Sequence, residues 1–185
     1  MANQLLILGV VHRDPEGADR LRPVLDARPW GLVSVEVSPY ALAWRRETGR
    51  QLLAALEANL PAAAARAGLS LAQARRHPGP AWLRAYLSLP YEWLVAQELA
   101  ARRGAPGVAL DFSQKSRQLL AEAPELVTPD NLAQLLAAPA PASAALERRR
   151  ATDLLSGRGG WPRPPAPEPG READRKSTRL NSSHT

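Results

Sequence analysis

The chain contains no cysteine, which excludes disulfides and thiolate metal sites. Lysine is almost missing too. It occurs only at Lys115 and Lys176, and arginine carries the remaining basic charge. No apolar run approaches the roughly 20 residues that a membrane-spanning helix needs. No basic segment followed by a long apolar stretch and a cleavage site opens the sequence, so the expectation is a cytoplasmic protein without a membrane span. A basic stripe interleaved with aromatics is also missing. Aromatic residues make up 5% of the 185, and the arginines alternate with acids along apparent helices. The net charge of +6 therefore reads as the composition of a GC-rich bacterial genome, and no nucleic-acid partner is expected.

Hydrophobic residues make up 45% of the sequence, enough for one domain with a core. Residues 1–155 read as the N-terminal part of one α/β domain. Residues 156–173 are rich in Pro, Gly and Arg, have little to bury and read as disordered. Residues 174–185, from Asp174 to Thr185, resemble a translated sequencing adapter, so they are set aside from the fold and the domain is expected to be truncated.

Three short apolar stretches predict strands. Leu5 to Val11 is a continuous apolar run, as in a strand buried on both faces. Leu32 to Val37 is rich in β-branched residues. Gly107 to Asp111 is the third. Between them lie helical patterns with clear punctuation. Asp14-Pro15 and Ser38-Pro39 each supply a cap and a first-turn proline. His77-Pro78-Gly79-Pro80 reads as a breaker, Pro90 divides the pattern from Ala81 to Arg103, and Gly104 suits a C-cap. The order predicts an α/β fold, a small parallel sheet with flanking helices.

The expected chemistry gathers at the strand ends. His12 follows the first strand, Glu36 ends the second and Asp111 ends the third. Ligands of open parallel sheets bind outside the carboxyl ends of the strands. If the three strands are neighbours, one imidazole and two carboxylates converge and can hold a divalent metal or perform acid–base work. Arg45 falls on the Leu42–Leu52–Leu56 stripe of the following helix. A guanidinium on an inward face needs a carboxylate, and Glu36 is the candidate. Each residue also has a plainer reading. His12 can be a loop or capping residue, Glu36 can face solvent, Asp111 can cap the next helix, and Arg45 can lay its stem over apolar surface. His77 reads as a surface turn residue.

Gly9-Val10-Val11-His12 after an apolar strand, followed by Val35-Glu36-Val37-Ser38-Pro39-Tyr40, resembles the TraB/PrgY group. That group is grouped with the Tiki proteases and the ChaN and erythromycin-esterase-like proteins. The resemblance covers about Leu5 to Arg50 and extends weakly through Leu110-Asp111-Phe112. It implies an α/β fold and a metal-dependent hydrolase, peptidase-like in one branch, acting on a peptide or small-molecule substrate. His12 would be a metal ligand. Glu36 would be a ligand or the base that activates water, and Asp111 a further ligand. Arg45 would orient Glu36 or stabilise developing charge, although the family's arginine follows the glutamate more closely. The family's second Gly-x-x-His motif does not occur, because neither His77 nor His184 has the required glycine. A chain without it is expected to be inactive. The alternative is a non-catalytic regulatory protein that binds a ligand or peptide at the same strand-end site.

Overall fold

A computed structural model describes residues 5–139, 143–156 and 158. The expectations for residues 159–185 lie outside the described residues. The chain divides into two compact units, Met1–Glu147 and Arg148–Thr185. In the second unit the description covers the end of helix α10, Ala144–Leu155, and the residues just after it.

Helices account for 67% of the described residues, beside a two-stranded parallel sheet. The fold is mixed α/β but dominated by helices. Within the first unit the order is α1 (Gly17–Asp26), β1 (Val33–Val35), α2 (Pro39–Trp44), a π-helical turn (Arg45–Gly49), α3 (Arg50–Arg66), α4 (Leu71–Arg76), α5 (Pro78–Leu87), α6 (Tyr91–Arg103), β2 (Gly107–Ala109), α7 (Ser113–Ala121), α8 (Ala123–Leu126) and α9 (Pro129–Ala137). No described helix is long and apolar enough to cross a membrane.

The expected first strand is not formed. Leu5 to Val11 makes no ladder with β1, and Leu5 and Ile7 are 87% and 83% exposed. An apolar run signals a tendency to be buried, but a strand also needs a neighbouring backbone in register. Here only the end of the segment is held: Asp14 N–H donates to the Val11 carbonyl at 3.3 Å and the Tyr91 hydroxyl donates to it at 3.2 Å. The other two strands form and pair in parallel, with Val33 opposite Gly107 and Val35 opposite Ala109. Both are shorter than predicted. Val37 N–H turns back to the Val35 carbonyl at 2.8 Å, which ends β1 before Glu36.

Local chemistry accounts for the helix starts. Ser38, fully buried, accepts from Ala41 N–H at 3.0 Å ahead of Pro39 and donates to the Ser116 hydroxyl at 2.7 Å. The cap thereby ties α2 to α7. Thr128 caps α9 in the same way. The predicted breaker at His77 separates α4 from α5 and also starts α5: the His77 imidazole accepts from Gly79 N–H at 3.1 Å, and Pro78 occupies the first turn, where its missing N–H costs nothing. Gly104, at φ 69°, ends α6 in the left-handed conformation.

The main core lies between α3, α5 and α9, around Leu56, Leu60, Leu83, Leu87, Leu132 and Leu136. Two smaller clusters carry the sheet. Val37 and Leu42 meet Trp93 and Leu120, and Leu25 of α1 meets Val95 and Leu99. Helix α6 is common to both, so Pro90, which starts it, sets the side chains at its first turn against the end of the Leu5–Val11 segment.

Candidate functional site

That first turn of α6 supplies a residue that the sequence pattern did not single out. Glu92 is buried, and its Oε1 lies 2.6 Å from Nδ1 of His12, whose side chain is 60% exposed. A carboxylate can only accept, so Nδ1 carries the proton and Nε2 faces outward with a free lone pair when the ring is neutral. The other oxygen of Glu92, Oε2, is buried and has no hydrogen-bond partner among the described residues. The pair raises the His12 pKa above its usual 6.5, mainly through the hydrogen bond to Glu92; burial opposes the rise, and the charges of Glu92 and, more weakly, Glu36 add to it. Glu92 was missed because a lone acid one residue into a helix reads as a favourable first-turn charge. Its burial was not legible from spacing.

His12, Glu92 and Glu36 line one groove of about 1060 Å³, whose apolar wall includes Leu8, Leu25 and Trp30. The groove runs between the Leu5–Val11 segment and β1, in the place a third strand would have filled. His12 and Glu36 therefore line one groove, although the strand that was expected to present His12 is not formed.

Asp111 is not brought there. The register sets Val35 opposite Ala109, and Asp111 N–H donates to the Val37 carbonyl at 3.3 Å. Glu36 and Asp111 both lie beyond the paired strands. Glu36 is exposed and Asp111 half-buried, and Asp111 is not among the residues that line the groove. The Asp111 carboxylate accepts from Phe112 N–H at 2.7 Å, next to the start of α7. Among the described residues, no three His, Asp or Glu side chains stand close enough to hold a metal together.

Arg45 does not pair with Glu36. Its Nε donates to the Tyr86 carbonyl at 3.2 Å and its Nη1 to the Ala41 carbonyl at 3.4 Å. Burial is the main cause that lowers its pKa, yet a guanidinium so lowered stays charged at neutral pH. The π-helical turn that Arg45 opens brings Gly49 against α5, where a Cβ would sit 2.5 Å from the Leu87 carbonyl oxygen. Its extra residue shifts Leu52 and Leu56 relative to Leu42 and Arg45, so the regular stripe expected through them is not kept.

Arg13 completes the surroundings. It is the one non-glycine described residue at positive φ, 63°, a conformation that costs a bulky side chain about 1–2 kcal/mol. The turn places its guanidinium 4.6 Å from the Trp82 ring centroid. Tyr91, beside Glu92, has its pKa pushed up to about 12, first by burial and then by the Glu92 charge, so it remains a hydroxyl donor to Val11.

No family model, no curated protein and no solved structure matches the chain.

Proposed function

We propose that the chain carries the N-terminal half-site of a metal-assisted hydrolase of the TraB/Tiki-like type, acting on a peptide or small-molecule substrate laid along the groove. The observation that carries this reading is the His12–Glu92 hydrogen bond at 2.6 Å at the mouth of a groove that Glu36 also lines. A histidine held from behind by a carboxylate is how proteins fix the tautomer and raise the basicity of an imidazole, whether it binds a metal or a proton.

The residues fit a divalent ion in part. Nε2 of His12 and the Glu36 carboxylate would hold it, with Glu92 orienting the ring; Asp111 does not line the groove. Such an ion, when bound, supplies Lewis-acid charge and makes water a stronger acid. The chain's own residues do the rest. Glu92 keeps the proton on Nδ1, the buried surroundings of α6 hold the ring in place, and the apolar wall of the groove excludes water from a bound substrate. Glu36, exposed and unencumbered by Arg45, accepts a proton from water.

The apolar lining of the groove favours a second reading, a non-catalytic protein that binds a ligand or peptide there. Calorimetric titration of the full chain with Zn²⁺ or Mn²⁺, followed by assay on peptide and ester panels, separates the two. The hydrolase reading expects saturable metal binding that is lost in His12→Ala and weakened in Glu36→Gln. Metal binding that is the same in wild type and both variants would overturn it. Ligand binding that survives chelation, with metal binding unaffected by His12→Ala, would establish the binder.

A further inference from the structure

Beside the His12–Glu92 pair lie the guanidinium groups of Arg13 and Arg45, neither of which forms a salt bridge among the described residues. Both lie against one aromatic platform. The Trp82 and Tyr86 rings stack with centroids 5.5 Å apart and planes 3° from parallel. The Arg13 guanidinium carbon is 4.6 Å from the Trp82 centroid and 5.7 Å from that of Tyr86, and the Arg45 carbon is 6.0 Å from the Tyr86 centroid. The two cations thus share one ring.

Glu92 and Asp14 are the buried acids of this region; Glu92 is engaged by His12, and neither acid forms a salt bridge with Arg13 or Arg45 among the described residues. The charge of Arg13 adds to burial in lowering the pKa of Arg45, and the charge of Glu92 opposes it. Arg45 uses two of its five N–H donors on backbone carbonyls, which leaves three for a ligand. A half-buried guanidinium beside a like charge is unfavourable unless an anion comes between or beside them. Guanidinium pairs match the planar oxygens of carboxylate and phosphate, and stacking on an aromatic face holds the planar fork ready.

We propose that Arg13 and Arg45, held on the Trp82–Tyr86 platform, form an oxyanion subsite that takes a carboxylate or phosphate group of the substrate presented to His12. The subsite deepens the hydrolase reading by giving the substrate an anionic handle, and it rests on that reading only for what happens next to it. Arg13 follows His12 directly in the chain, so an anion held there sits one residue from the imidazole.

The test is a ¹H–¹⁵N NMR titration of the arginine Nε–H resonances of the full chain, at constant ionic strength, with sodium acetate in one arm, sodium phosphate in a second and sodium chloride as the control. Saturable shifts at Arg13 and Arg45 are expected with acetate or phosphate and not with chloride, and the tighter arm identifies the class of handle. Arg13→Gln, an exposed change that leaves the core intact, should weaken binding roughly tenfold, the loss expected for a charge-assisted hydrogen bond. Arg13→Gln/Arg45→Gln should abolish it. Linear, non-saturating shifts with both anions, or an affinity unchanged in Arg13→Gln, would overturn the subsite. Anion binding by a chain that shows no His12-dependent metal binding supports the subsite and removes the hydrolase reading. His12-dependent metal binding without anion binding overturns the subsite alone.

Discussion

Nδ1 of His12 and Oε1 of Glu92 are 2.6 Å apart although 80 residues separate them in the chain. One partner is exposed to water and the other is buried. This asymmetry determines how the pair responds to pH. The His12 pKa is raised above 6.5, so the folded state holds the proton more tightly than the unfolded chain does. The resulting stabilisation is fully present below pH 6.5 and fades as pH rises through the raised value. Glu92→Gln removes the largest cause of the rise and leaves burial and Arg13 to oppose it. NMR titration of the His12 ring should therefore show a lower pKa in Glu92→Gln, and the melting temperature of that variant should lose its dependence on pH in the same window. An unchanged titration would mean that the pair does not form in solution.

The two acids expected beside His12 should behave differently. Glu36→Gln removes a charge that favours the imidazolium, so it should lower the His12 pKa slightly. Asp111→Asn should leave it unchanged, because Glu92, Arg13 and Glu36, and not Asp111, are the charges that act on His12. The same NMR titration measures both. A shift in Asp111→Asn as large as that in Glu36→Gln would place Asp111 beside His12 and contradict this arrangement.

Gly17 is required by Tyr91. A Cβ added at Gly17 would fall inside the Tyr91 ring, and the neighbouring backbone of α1 is buried there. Gly17→Ala should destabilise the fold by about 1–3 kcal/mol through overpacking, despite alanine's better helix propensity. Displacing the ring should also break the hydroxyl bond to Val11. Denaturant unfolding gives the first effect, and hydrogen exchange of the Val11–Asp14 turn gives the second.

Ser38 both caps α2 and bonds the Ser116 hydroxyl inside the protein. Ser38→Ala removes the cap and orphans its buried partner, at a cost of about 1–3 kcal/mol. Ser38→Ala/Ser116→Ala should cost less than the sum of the two single changes, because no hydroxyl is then left unsatisfied. A double-mutant cycle by chemical denaturation reads this coupling directly.

Much of the fold was legible where a local rule governed it. Ser38-Pro39, Thr128-Pro129 and Gly104 begin or end helices by satisfying backbone groups within a few residues, and such chemistry is written in adjacent positions. Two β-branched or small-residue stretches became β1 and β2. The apolar run at Leu5 failed because pairing needs a partner that no local pattern can guarantee. His77 was read as a breaker because proline and glycine dominate its neighbourhood, and it does end α4; that its imidazole also caps α5 was not legible from those residue types.

By itself the sequence determined the start of α2 at Ser38-Pro39, the end of α6 at Gly104 and the two paired strands, since these follow from interactions within one turn or one strand. Tertiary structure alone decided which groups meet. It brought Glu92 from α6 to His12, left Asp111 out of the groove that Glu36 lines, and gave Arg45 a ring and two carbonyls in place of a carboxylate. The reason is geometric: the face a side chain takes depends on how distant segments dock, and burial of a charge is a property of its surroundings that residue type and spacing do not carry.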